Sequence, residues 1–188
     1  MNNLETALRN LSNARATLTE RAEIAELARY LRESQRALSL GVNDAPPVLP
    51  DQPGVYYFEA KFKFSTAKEL AAFGERWGRI RAEVHDGNIP RYYPARARHH
   101  FDALVAGKPI PFYLGKRESI ADRIQNHIES PLNSGTYALK LRARPQLLDN
   151  LELTYSYRAF DVPPTSYYGV ELIEAELREI LNPIVGKQ

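Results

Sequence analysis

Between positions 111 and 130 the chain reads PFYLGKRESIADRIQNHIES, and several of its side chains can act on a charged substrate. Arg123 and His127 stand four positions apart, so on a helix they share one edge. A guanidinium offers paired N–H donors that match a phosphate, and an imidazole exchanges protons near neutrality. Tyr113 and Lys116 sit just upstream, on an aromatic run that turns at Gly115. Farther on, Glu174 and Glu176 flank the apolar face of a last helix, one on each side. Periodicity alone does not choose between them. RYYPARARHH, residues 91–100, adds Arg91, Arg96 and Arg98 to neutralise phosphates, with Tyr92 or Tyr93 to stack on bases or wedge a groove. Each residue also has an ordinary role open to it: a wetted helix flank, a solvated loop lysine, a loop tyrosine packed on its own domain.

The elements that must position these groups are legible from pattern. GVYYFEAKFKF (54–64) alternates and is rich in aromatic and β-branched residues, which predicts a strand. IPFYL (110–114) is a second strand and LELTYSYRAF (151–160) a third. Ile120, Ile124 and Ile128 form the buried stripe of a helix capped by Ser119. Val170, Ile173, Leu177, Ile180 and Leu181 form that of the last helix, capped by Ser166 or Thr165. Residues 66–86 and 97–105 read as helices within an insertion, and 136–144 as a short helix. Residues 3–38 read as helix, broken near Ser12-Asn13 or Thr19, and the four prolines of 41–54 end it.

The expected architecture is therefore α+β, a small three-stranded antiparallel or mixed sheet covered by helices. An N-terminal helical appendage (1–40) and a Pro-rich linker (41–53) precede the main domain (54–188), which carries a helical insertion at about 65–109. The 188 residues include 44% hydrophobic and 26% charged side chains, a globular composition. No apolar run approaches the ~18–20 residues of a spanning helix, and nothing near the start reads as a secretory signal. With no cysteine, disulfides and thiolate metal sites are excluded and the cytoplasm is the simplest compartment. Residues 65–109 carry eight Lys/Arg against five Asp/Glu, whereas 161–188 carry two against five. Such asymmetry suits a protein that meets a polyanion with one face.

Gly54-Val55-Tyr56 on the first strand and Tyr113-Leu114-Gly115 on the second resemble the two halves of the GIY-YIG nuclease signature. Arg123 follows Tyr113 by ten residues and His127 follows by four more, as in homing and restriction-type members. EAELREILNP (174–183) is similar to the segment that carries the family's metal-binding glutamate, and this likeness selects Glu174. The resemblance covers about residues 53–188, with two departures. Tyr56 and Tyr113 are 57 positions apart, where the family usually has a tight hairpin, and Gly186 stands where it often has an asparagine. Asn182 or Gln188 could substitute.

The resemblance implies a metal-dependent endonuclease acting on DNA, restriction-type or mobile-element associated. Glu174 would anchor Mg²⁺ or Mn²⁺, Arg123 and Lys116 would contact the scissile phosphate, and Tyr56 would serve as general base or position the water, assisted by Tyr113 and His127. The N-terminal helices can pack on the main domain or offer a homodimer surface. Two other readings compete: a nucleic-acid-binding module of the same fold with weak or no catalysis, and a helical interaction protein.

Overall fold

The computed structural model describes residues 2–41, 44–83, 88–163 and 166–187. In chain order the elements are α1 (Asn2–Leu18), α2 (Arg21–Glu33), β1 (Arg36–Ala37), β2 (Gly54–Phe62), α3 (Ala67–Glu83), β3 (Arg91–Tyr92), α4 (Pro94–His99) and α5 (Phe101–Val105). They continue with β4 (Ile110–Arg117), α6 (Ile120–Glu129), α7 (Pro145–Leu148), β5 (Leu151–Ala159), α8 (Tyr167–Leu181) and β6 (Val185–Gly186). The class is α+β, as the patterns predict, but the sheet has six strands rather than three, in the order β1-β5-β2-β4-β6-β3. β5, β2 and β4 are the three long strands, each antiparallel to its neighbour. β6 joins β4 in parallel, while β1 and β3 pair antiparallel with β5 and β6. The three additional strands span two residues each, too few for alternation to appear in sequence.

β2 is the axis of the fold and is buried on both faces. Tyr56, Phe58, Ala60 and Phe62 point into one core, with α3 and α6; Val55 and Tyr57 point into a second, with α2 and α8. In β4 the pairing slips between Phe58 and Glu59, which face Tyr113 and Pro111, so Phe112 is an inserted bulge residue. That bulge lets the consecutive Phe112 and Tyr113 join the same core.

The insertion between β2 and β4 contributes to the domain's interior. Leu70, Phe73 and Trp77 of α3 are buried, and β3 lengthens the sheet. The Trp77 indole donates to the Pro90 carbonyl at 2.7 Å, and the buried Arg144 guanidinium lies 3.9 Å from its ring centre.

Five expectations about local structure are corrected. The strand at 110–114 runs on to Arg117, so Gly115 lies within β4 and is not a turn. Residues 136–144 form no helix: the Leu141 and Arg142 amides donate to the His127 and Ile128 carbonyls, satisfying the otherwise unpaired end of α6. Lys140 within that segment is left-handed, with φ 52°. The N-terminal region breaks at Thr19-Glu20, and 36–37 is strand rather than helix. Of that region only α1 stands outside the core, because Ile24, Ala28 and Leu31 of α2 pack against Val170, Leu177 and Leu181 of α8. Ser166 precedes α8 without a side-chain capping bond, and the alternative cap Thr165 lies outside the described residues. Asn182, left-handed at φ 48°, ends the helix before Pro183.

Gly54 is where β2 passes closest to its neighbours. A Cβ there would overlap the Arg158 carbonyl of β5 and the Ile120 side chain of α6. Gly54→Ala is therefore expected to lower stability by roughly 1–3 kcal/mol, read from the denaturation midpoint.

Candidate active site

Register places the two tyrosine-bearing strands side by side, with Tyr56 opposite Gly115 and Phe58 opposite Tyr113. The Tyr56 and Tyr113 rings stack with centroids 6.1 Å apart. A Cβ on residue 115 would collide with the Tyr56 hydroxyl, so this glycine is present for close approach.

Across the tyrosines lies α6, whose start is fixed by the Ser119 hydroxyl accepting from the Asp122 amide at 3.2 Å. With Ile120, Ile124 and Ile128 in the core, the adjacent edge presents Arg123 and His127 to Tyr56. Neither is on a wetted flank: His127 is fully buried and Arg123 half-buried. His127 Nδ1 accepts the Leu139 amide proton at 2.8 Å, so in the neutral ring the hydrogen is on Nε2. That Nε2–H reaches the Tyr56 hydroxyl oxygen at 2.9 Å, and Arg123 Nε donates to the same oxygen at 3.2 Å. Arg123 Nη2 donates to the Tyr137 carbonyl. The Tyr56 oxygen thus accepts twice, leaving its own O–H to point toward Tyr113. Burial, with the Tyr113 hydroxyl adding to it, pushes the Tyr56 phenol well above its usual range, and Arg123 opposes both. Burial raises Tyr113 as well. Both phenols keep their protons in this arrangement.

Tyr56, Tyr113, Lys116, Arg123, Glu174 and Arg178 line one cleft of about 590 Å³. Helical phase settles what periodicity left open: Glu174 faces the cleft and is 5% exposed, whereas Glu176 faces solvent. Ile180, expected on the buried face of α8, is exposed. Glu174 Oε1 forms an ion pair with Arg178 Nη2 one turn on, and Arg178 Nη1 donates to the Lys187 carbonyl at 2.8 Å. Lys116 Nζ bonds Glu171 Oε1 at 2.7 Å. Arg117 and Lys187 also line the cleft, making five cations against the two carboxylates Glu171 and Glu174. An anionic ligand fits that balance.

Among the described residues no cluster of three or more His, Asp or Glu side chains could cage a metal. The cleft-facing carboxylates are Glu174 and Glu171, each already paired with a cation. His127 has no nitrogen to spare, since both bond to protein. Such a set fits a hard divalent cation that keeps most of its waters and does not fit a zinc-type site.

The basic segment lies apart from the cleft lining. Tyr92 is buried in β3, donates to the Leu70 carbonyl at 3.3 Å and packs on Phe73, so its ring is not free to stack on a base. Tyr93 is half-buried with the Arg96 guanidinium 4.3 Å and that of Arg91 5.7 Å from its ring centre. Arg96 also donates to the Pro183 carbonyl at 3.3 Å, while Arg91 and Arg98 are exposed. Neither Asn182 nor Gly186 lines the cleft; Gly186 is in β6, with its carbonyl accepting from the Tyr137 hydroxyl at 3.2 Å. Gln188 lies outside the described residues. Several cleft residues escaped sequence reading, among them Arg117, Tyr137, Glu171, Arg178 and Lys187. Arg178 had a signal, standing four after Glu174 on one helix; Tyr137, from an irregular segment, had none.

No family model, curated protein or solved structure matches the chain.

Burial, then the Arg123 and Arg144 charges, holds the His127 pKa well below 6.5. Arg144, itself lowered to about 9 by burial, stays charged throughout this interval, while the facing Tyr56 and Tyr113 remain neutral. The unfolded histidine binds a proton below about pH 6.5 and the folded one does not. Its contribution is thus complete above that pH and falls as the medium is acidified, by up to about 1.4 kcal/mol per unit. Denaturant titrations of wild type and His127→Gln should show this extra slope between pH 5 and 6.5 only in the wild type.

Proposed function

We propose that this chain is a GIY-YIG-type endonuclease that hydrolyses DNA phosphodiester bonds with the help of Mg²⁺ or Mn²⁺. The observation that carries the reading is convergence. Tyr56, Arg123 and Glu174, from three elements far apart in sequence, line the same cation-rich cleft. The motif resemblance and the charge balance point the same way.

Arg123 has two of its N–H directions taken by Tyr56 and Tyr137, which fix the plane of its guanidinium. The remaining donors hold the scissile phosphate and the negative charge that builds as it is attacked. Lys116, at the mouth of the cleft, adds a point charge for the same group. Tyr56, its oxygen held by two N–H donors, orients the attacking water by turning its O–H from Tyr113 toward it. It can take a proton from that water only when the charge of the cleft offsets the burial that keeps its own proton in place. His127 is a positioning residue: it ties Tyr56 to the Leu139 amide. Glu174 would hold the divalent ion, which when bound supplies Lewis-acid stabilisation of the phosphoryl and leaving oxygens. Arg91, Tyr93, Arg96 and Arg98, outside the cleft lining, would contact the flanking DNA. A restriction-type or mobile-element role in the cytoplasm suits such an enzyme. Among the described residues no helix is long and apolar enough to cross a membrane.

One observation favours the second reading, a non-cleaving nucleic-acid-binding module. Glu174 already has a cation partner in Arg178, and a metal would have to displace it.

The two readings separate in a supercoiled-plasmid assay with Mg²⁺ or Mn²⁺. Cleavage should fall by about 10²-fold or more in Glu174→Gln and in Arg123→Ala, and stay unchanged in Glu176→Gln. Glu174→Gln should still shift labelled DNA in an anisotropy titration. DNA binding by the wild type with no cleavage across varied substrates supports the module. Cleavage that survives both substitutions removes the mechanism.

A further inference from the structure

Every residue of α1 from Leu4 to Leu18 is exposed, yet the helix carries an apolar seam. Leu4, Leu8, Leu11 and Leu18 are 71, 56, 54 and 37% exposed. With Arg15 between the last two, the positions advance by four, three, four and three, the spacing of a two-helix coiled coil. A helix of 17 residues with water on all sides is marginal, so the seam requires a cover. Its own chain offers little: Leu18 approaches Gly169 at the start of α8, and the other three leucines join neither core cluster.

We propose that α1 of a second copy of this chain covers the seam, packed antiparallel. Charge selects the occupant and the direction. The charged residues of α1 are Glu5, Arg9 and Arg15. If Leu8 faces the partner's Leu11, Arg15 falls at the level of the partner's Leu4 and Glu5, and the twofold axis makes the pairing twice. A parallel pair would set Arg15 on Arg15 in the seam and leave each Glu5 ten positions away. Ala7 and Ala14 border the seam and let the two backbones approach.

The apolar surface does not stop at the end of α1. Leu18 also lines a groove of about 510 Å³ with Ile24, Leu27, Phe160 and Ile173, which continues the seam onto the body. Because α1 leans on the first turn of α8, pairing would fix two copies of the helix that bears Glu174 relative to each other. The inference itself rests on α1 alone and stands or falls independently of nuclease activity.

Sedimentation equilibrium on the full chain tests it. The wild type should show twice the 21.4 kDa chain mass. Leu8→Glu and Leu11→Glu should each give a monomer with unchanged thermal unfolding of the body, since neither side chain enters a core cluster. Glu5→Arg and Arg15→Glu should each weaken the dimer about tenfold, and the double exchange should restore it, which a merely misfolded helix would not. A monomeric wild type, or a dimer indifferent to Leu8→Glu and Leu11→Glu, overturns the pairing. Single charge changes without rescue in the double variant overturn the antiparallel arrangement.

Discussion

The hydroxyl oxygen of Tyr56 accepts one N–H from His127 and another from Arg123, and the surrounding structure is built to keep that oxygen in place. Several conditions have to hold together. β2 must lie beside β4 in the register that sets Tyr56 against a residue without a side chain, and Gly115 meets it. His127 must present a hydrogen on Nε2, which the Leu139 amide secures by occupying Nδ1. Leu139 can do so because its segment is irregular; in a helix that amide would turn back on its own chain.

Each carboxylate of the cleft is paired with a cation, as a poorly solvated interior requires. Glu174 is nearly buried and pairs with Arg178, and Lys116 pairs with Glu171. Arg144 is a different case. Its guanidinium lies over Trp77, its two terminal nitrogens have no hydrogen-bond partner, and burial lowers its pKa to about 9. Its charge reaches the histidine instead: added to burial, the larger cause, and to Arg123, it keeps His127 neutral, the form in which one ring nitrogen donates while the other accepts. Two cations thus help maintain the neutral ring, whose Nδ1 can accept from the Leu139 amide.

The separation of 57 positions between Tyr56 and Tyr113 does not prevent their strands from pairing. Loop-closure entropy grows only with the logarithm of length, so a long excursion costs little more than a moderate one. This excursion also offsets its own cost. It buries Leu70, Phe73, Trp77, Tyr92 and Leu104, and places β3 beside β6. Arg96 and His100 then bind the Pro183 and Asn182 carbonyls, tying the insertion to the C-terminal end of α8, the helix that holds Glu174.

By itself the sequence determined the α+β class, the three long strands, the Ser119-capped helix and the aromatic, basic character of the insertion. Those features rest on local periodicity and capping, which neighbouring residues impose on one another. It also marked Tyr113, Arg123 and His127 as worth bringing together, and, only through a family likeness, Tyr56 and Glu174. Tertiary structure decided the rest. Two-residue strands exist because a neighbouring strand pairs with them, and 136–144 is irregular because its amides serve the end of α6 and the ring of His127. Glu174 rather than Glu176 faces the cleft because the packing of α8 against β4 and α2 sets the helix's rotation. Tyr92, exposed in a pattern reading, is interior because α3 folds over it. In each case the deciding interaction joins residues distant in sequence, which no local pattern encodes.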